Sequence, residues 1–218
     1  MQTPQPQNSS EPGSRHHRRK VLIQISIFCT VLIVIPFAAV GVSYISYSRN
    51  SSALESLPRL GQIPDFALVE RSGQPIGQSD LNGRVWIADF IFTYCAGPCP
   101  RMTAEFIKLQ REFKDTDRVR LVTFTVDPDR DTPQALRDYA DRHGAHPTKW
   151  LFITGDLREV HRLVVEGFKL GSVEDPMMHS TRFVLVDADG AVRGYYDSEE
   201  PAAIDNMVRH ARLLARLN

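Results

Sequence analysis

The apolar positions of this chain follow two different rhythms. From Val21 to Ser48 no residue carries a charge, and 21–43 is dominated by Ile, Val, Leu, Phe and Ala. As a helix, 23 residues rise roughly 35 Å, enough for a hydrocarbon core about 30 Å thick. A core helix with no polar face is foreign to a single small domain. A cleaved signal peptide has a shorter apolar region and an A-x-A-like site, which is missing here. The stretch therefore predicts one uncleaved transmembrane helix over 21–43, in which Pro36 is tolerable.

Beyond residue 60 the rhythm becomes that of a folded domain. Phe66–Val69, a turn at Arg71-Ser-Gly-Gln74 and the residues up to 80 predict a hairpin. Val85–Phe92 reads as a buried strand that Asp89 interrupts. Met102–Phe113 reads as a helix with Met102, Phe106, Leu109 and Phe113 on one face. Strands are expected at 119–126 and 150–153, and helices at 132–143, ended by Gly144, and 156–168, capped by Asp156. Phe183–Val186, a turn at Asp187-Ala-Asp-Gly190 and Val192–Tyr196 make a second hairpin before a closing amphipathic helix at 202–217. Strands alternating with helices predict an α/β fold with a mixed sheet. The order matches a thioredoxin-like fold with an N-terminal hairpin extension, preceded by the single transmembrane helix. The expected organisation is a disordered basic tail at 1–20, the anchor at 21–43, a polar tether at 44–59 and the domain at 60–218.

Charge adds orientation. The 218 residues have a formal net charge of zero, so nothing global points to nucleic acid. Residues 1–20 nonetheless hold Arg15, Arg18, Arg19 and Lys20 against Glu11 alone. Positive residues stay cytoplasmic, which puts the tail inside and everything after about residue 48 outside. In a bacterium this is an inner-membrane protein with a periplasmic domain.

Of three cysteines, Cys29 lies in the span and reads as a small apolar filler. The domain keeps Cys95-Ala-Gly-Pro-Cys99, placed between a strand and a helix. The spacing is CxxxC, not the redox CxxC. If the segment is helical, positions i and i+4 share a face; if it is a loop, Gly97 lets it curl. At a helix N-terminus the macrodipole is expected to favour the thiolate, the form that attacks disulfides and binds soft metals such as Cu(I), with Zn(II) a competitor. A structural disulfide between residues so close would stabilise little. His179 precedes the strand Phe183–Val186, where thioredoxins carry a cis-proline that packs on the dithiol; it is expected to face the cysteines and complete an S₂N copper set. Met177 and Met178 beside it read as packing residues, and His16, His17, His143, His146, His161 and His210 as surface or core residues. Val126-Asp-Pro-Asp-Arg-Asp-Thr-Pro133 ends a strand, where ligand groups gather in α/β sheets. Asp131 or Thr132 caps the helix that begins at Pro133. Asp127 has no such role and is a candidate to orient His179 or to assist partner recognition.

These motifs together, Phe92-Thr-Tyr-Cys-Ala-Gly-Pro-Cys-Pro100, Val126–Pro133 and His179 before Phe-Val-Leu-Val-Asp187, resemble the SCO/SenC family over about 60–218. The resemblance implies a membrane-anchored, thioredoxin-fold metallochaperone. It would bind copper, Cu(I) and/or Cu(II), through Cys95, Cys99 and His179. It would serve the dinuclear copper centre of cytochrome c oxidase subunit II, and it implies a copper donor and a thiol reductant. Ala-Gly-Pro between the cysteines departs from the Pro and acidic residue that the family often has. The competing expectation is a thiol–disulfide oxidoreductase with Cys95 and Cys99 as its redox pair, keeping the oxidase cysteines reduced. A peroxidase-like reading is weaker, because Thr93 lies two residues before Cys95, not three, and the Pro that peroxiredoxins place ahead of the attacking Cys is absent.

Overall fold

The computed structural model describes residues 34–35, 57–171 and 181–217. The chain divides into two units, Met1–Ser52 and Ala53–Asn218. The first is described only at Val34 and Ile35, which are helical. The expected anchor apart from these two residues, the basic tail, Cys29 and most of the tether thus lie outside the described residues. Among the described residues no helix is long and apolar enough to cross a membrane.

The second unit is built on one eight-stranded mixed sheet. Its strands are β1 (Gly61–Gln62), β2 (Ala67–Glu70), β3 (Pro75–Gly77), β4 (Val85–Ile91), β5 (Val119–Thr125), β6 (Trp150–Thr154), β7 (Arg182–Val186) and β8 (Ala191–Asp197). They lie in the order β1-β8-β7-β4-β5-β6-β2-β3. The three central strands β4, β5 and β6 run parallel. Antiparallel hairpins flank them: β7–β8 on one side and β2–β3 on the other, where β2 pairs with β6. This is the expected thioredoxin-like α/β arrangement, with the N-terminal hairpin extending the sheet beyond β6.

Period-two alternation sends the side chains of the central strands to two cores. On β4, Val85, Ile87 and Ile91 face one core, while Trp86, Ala88 and Phe90 face the other. Three helices cover the first face: α1 (Cys99–Glu112), α2 (Pro133–Arg142) and α4 (Pro201–Leu217). Met102, Phe106 and Leu109 form the buried stripe of α1, at the spacing the sequence predicts. The second face is closed by α3 (Leu157–Arg162) and an aromatic cluster of Phe66, Trp86, Phe90, Phe124 and Phe168.

Local chemistry explains the ends. Asp156 caps α3 by accepting from the Arg158 and Glu159 amides. Gly144 follows α2 at φ +64°, a conformation that costs glycine little. The expected helix at 156–168 is not one α-helix: it widens to a π turn at Leu163–Gly167, where a Cβ on Gly167 would meet Pro64 at 2.9 Å. The turn 187–190 is held by the Asp187 carboxylate, which accepts from the Asp189 and Ala191 amides.

The last residues of the tether stretch pack on this domain. Arg193 pairs with Asp187 at 2.8 Å, both side chains buried, and donates to the carbonyls of Leu57 and Pro58. Truncating one partner of a buried ion pair strands the other charge. Arg193→Ala is therefore expected to lower stability by about 3–5 kcal/mol in urea unfolding. A loss below about 1 kcal/mol, the value of an exposed pair, would contradict the burial.

Candidate functional site: the CxxxC loop

The parallel register of β4 on β5, Val85↔Val119 through Ile91↔Thr125, brings two strand ends side by side. The chain leaves β4 through Phe92, turns at Thr93–Tyr94 and reaches α1 at Cys99. Cys95 lies in the loop, its amide donating to Phe92 O at 3.2 Å. Of the two geometries open to CxxxC, the loop is the one formed. Cys99 is the first helical residue after Pro98 at the N-cap, and Pro100 occupies the first turn, where its missing N–H costs nothing. Gly97 is not left-handed, and a Cβ there would stand 3.8 Å from Cys95 Sγ, so the loop does not demand glycine on steric grounds.

Both thiols are free: Cys99 is buried and Cys95 half-buried. Cys95 packs against the core cluster that contains Cys99, and the two thiols perturb each other. The expectation that the helix start favours the thiolate fails at Cys99. Burial pushes its thiol up to about 12; the Cys95 thiol and the Asp89 carboxylate act in the same direction, and a hydrogen bond from the Phe92 backbone only partly opposes them. Desolvation outweighs the dipole because the sulfur points into the α1-side core, not toward solvent.

Beneath the loop lies Asp89, 1% exposed, on the face of β4 that α1 and α2 cover. Neither carboxylate oxygen has a hydrogen-bond partner; Thr123, its register neighbour on β5, lowers the pKa without reaching hydrogen-bond geometry. Burial raises this carboxyl to about 7. Its charge also reaches Tyr139, whose hydroxyl shares a 2.7 Å hydrogen bond with Thr103. In sequence Asp89 appears only as an interruption in an apolar run, which was the available signal.

The Asp127–Pro133 segment arrives at the end of β5. Thr132, not Asp131, caps α2, accepting from the Ala135 amide. Asp131 is instead wholly buried and faces the cysteine loop. Its carboxylate accepts from the Thr93 amide at 3.0 Å, the Thr93 hydroxyl at 2.5 Å and the Thr125 hydroxyl at 2.6 Å. Asp127 is ion-paired with Arg130. Tyr94, 71% exposed, stands next to Cys95 on the rim. His179, Met177 and Met178 lie outside the described residues; of the expected site the described residues include Cys95, Cys99 and the Asp127 segment. Among the described residues no group of three or more His, Cys, Asp or Glu side chains is arranged to hold a metal.

Comparison with known proteins places this geometry. The SCO1/SenC family model matches residues 57–214. The SCO1 protein homolog of Bacillus subtilis is 32% identical over 162 residues, covering 72% of this chain and 84% of that protein. Among solved structures, BsSco, described as a member of the Sco family of cytochrome c oxidase assembly proteins with a disulfide switch, superposes with a TM-score of 0.66 at 30% identity, covering 75% of this chain and 99% of that one. Yeast Sco1 with copper bound superposes with a TM-score of 0.54 at 25% identity, covering 71% and 94%.

Two predictions follow from the site's burial. With iodoacetamide at pH 8, Cys95 is expected to alkylate well before Cys99, read by peptide mass spectrometry; equal rates would contradict the burial of Cys99. Asp89 holds its proton in the folded state up to about 7 but releases it near 3.8 when unfolded, so the folded state binds more protons across that window. Its contribution is fully present below the lower value and is lost as pH rises through the upper one. Asp89→Asn is therefore expected to gain on the wild type between pH 4 and pH 8, by up to about 4 kcal/mol in paired urea titrations. A difference independent of pH would contradict the shift.

The sequence from Leu57 through Leu214, folded around this loop, belongs to the SCO1/SenC family.

Proposed function

We propose that this protein is a membrane-anchored copper metallochaperone that binds copper through Cys95, Cys99 and His179 and delivers it to the dinuclear copper centre of cytochrome c oxidase subunit II. The observation that carries the reading is the pair of free, electrostatically interacting thiols, Cys95 in the loop and Cys99 at the start of α1, in a chain whose relatives include a copper-bound Sco1 and an oxidase assembly protein.

The donor set suits the cargo. Two adjacent sulfurs are soft ligands of the kind Cu(I) selects, and an imidazole completes a set acceptable to both copper oxidation states. The burial that opposes the Cys99 thiolate is offset by a cation at the sulfurs, since a coordinating thiol is deprotonated outright. Loading therefore releases protons. The two cysteines divide the work. Cys99, fixed in the first turn of α1, retains the ion; Cys95, half-exposed on the loop, is where an incoming client thiolate enters, forming a shared-thiolate intermediate before copper leaves. His179 is assigned its role by its place before β7 in the family pattern. Asp127, held by Arg130, keeps spare acceptor sites on its carboxylate for a ring N–H such as that of His179. The basic tail and the uncharged 21–43 stretch support a domain in the periplasm of a bacterium, tethered to the inner membrane, with a separate donor and thiol reductant supplying copper and electrons.

A second reading has its own support: two free thiols four residues apart also describe a dithiol able to form a disulfide, and BsSco is described with a disulfide switch. In that reading the protein keeps the oxidase cysteines reduced.

The test is copper stoichiometry and absorption spectroscopy on the reduced full chain in detergent. About one copper per chain is expected, lost in Cys95→Ser/Cys99→Ser and held roughly tenfold or more weakly in His179→Ala. Unchanged affinity in His179→Ala would remove the histidine from the set. No copper retention by the wild type, with turnover on a disulfide substrate, would transfer the assignment to the oxidoreductase.

A further inference from the structure

We infer that Asp131 is a positioning residue for the Cys95–Cys99 pair: its buried carboxylate holds the start of the cysteine loop against the end of β5, and this inference rests on that pair being the working site.

Asp131 is 0% exposed, and burying a carboxylate is costly unless its acceptor sites are filled. They are filled in a specific way. Two of its three donors belong to Thr93, which contributes both its amide and its hydroxyl, and the third is Thr125 at the C-terminal end of β5. Helix capping does not explain the residue, because Thr132 performs it. Thr125 extends the tie, accepting from the Asp127 amide at 3.0 Å while donating to Asp131. One carboxylate thus joins residues 38 apart in sequence and secures the loop two residues before Cys95.

The consequence follows from how the two sulfurs are held. Cys99 is fixed in α1. Cys95 depends on the short loop between Thr93 and Pro98, whose own internal tie is the Cys95 amide to Phe92 O. Where the loop begins therefore decides whether Cys95 meets Cys99. A carboxylate can accept from all three donors at once. An asparagine has one acceptor oxygen and presents an NH₂ to the remainder, so it cannot reproduce the set. Fixing the loop start presents two thiols at a set spacing before copper or an oxidant arrives, which is preorganisation of a ligand pair.

The experiment measures that preorganisation directly, without copper. In glutathione buffers the reduced protein reacts with oxidised glutathione to give the Cys95–Cys99 disulfide and two molecules of reduced glutathione, and the equilibrium constant reports how well the two sulfurs are presented. In full chain that circular dichroism shows to be folded, Asp131→Asn and Thr93→Val are each expected to lower this constant about tenfold or more, while Thr93→Ser, which keeps both donors, stays within about twofold. Retention of Cu(I) against a chromogenic chelator is expected to fall in step. A folded Asp131→Asn with a lower Tm but an unchanged constant would overturn the inference and leave Asp131 a purely structural residue. Should Asp131→Asn fail to fold, Thr93→Val, which deletes one hydroxyl, decides the same question. Should the wild type retain no copper, the metallochaperone reading fails while the glutathione equilibrium still judges Asp131.

Discussion

The parallel pairing of β4 with β5 is the constraint on which the rest of this molecule depends. It is in register over all seven residues of each strand, from Val85↔Val119 to Ile91↔Thr125. Both strands end at the same level of the sheet, so the loops that leave them are forced together. One carries Thr93, Tyr94 and Cys95; the other carries Asp127 and Asp131. Parallel strands need a crossover, and α1 is that crossover, so the helix that begins at Cys99 is a topological requirement of the pairing. Brought together this way, the two loops are joined by hydrogen bonds to Asp131 instead of being solvated separately.

The same strand pair also creates the tension beneath the site. A central strand covered on both faces is normally apolar throughout, and β4 is, except for Asp89. Neither of its oxygens has a hydrogen-bond partner, whereas Asp131, in the segment after β5, has three donors. Two buried acids thus meet opposite fates: one is satisfied and holds a loop, the other is orphaned and drawn toward its neutral form. The neighbouring Cys99 thiol is pushed toward its neutral form by that same burial and by the Asp89 charge. A cation coordinated by the thiols would relieve the second effect.

Architecture was legible in the residues wherever a periodicity ran long enough to be read. The apolar stripe of α1, the Arg71–Gln74 and Asp187–Gly190 turns, the Asp156 cap and the β-rich runs at 85–92 and 119–126 all report local physics: side-chain spacing, turn chemistry and capping depend on neighbours a few residues away. The π turn at Leu163–Gly167 was not legible, since the helical pattern continues through it and only the approach of Pro64 to Gly167 marks the place.

At the site the division is sharper. The sequence by itself determined the candidates for chemistry: a close cysteine pair between strand and helix, a histidine before the last hairpin and an acidic segment after a strand, because residue type and spacing are written in the chain. Tertiary structure decided what each described residue does. Asp131, readable as a helix cap, became a clamp on a loop 38 residues earlier, because the cap was already supplied by Thr132 and the strand register carried its carboxylate to Thr93. Cys99, placed where a helix dipole favours the thiolate, became a buried thiol, because the depth of a sulfur in a core is set by the packing of α1 on the sheet and not by its position in the helix. Hydrogen-bond partners and desolvation are properties of three-dimensional neighbours, and no local pattern encodes them.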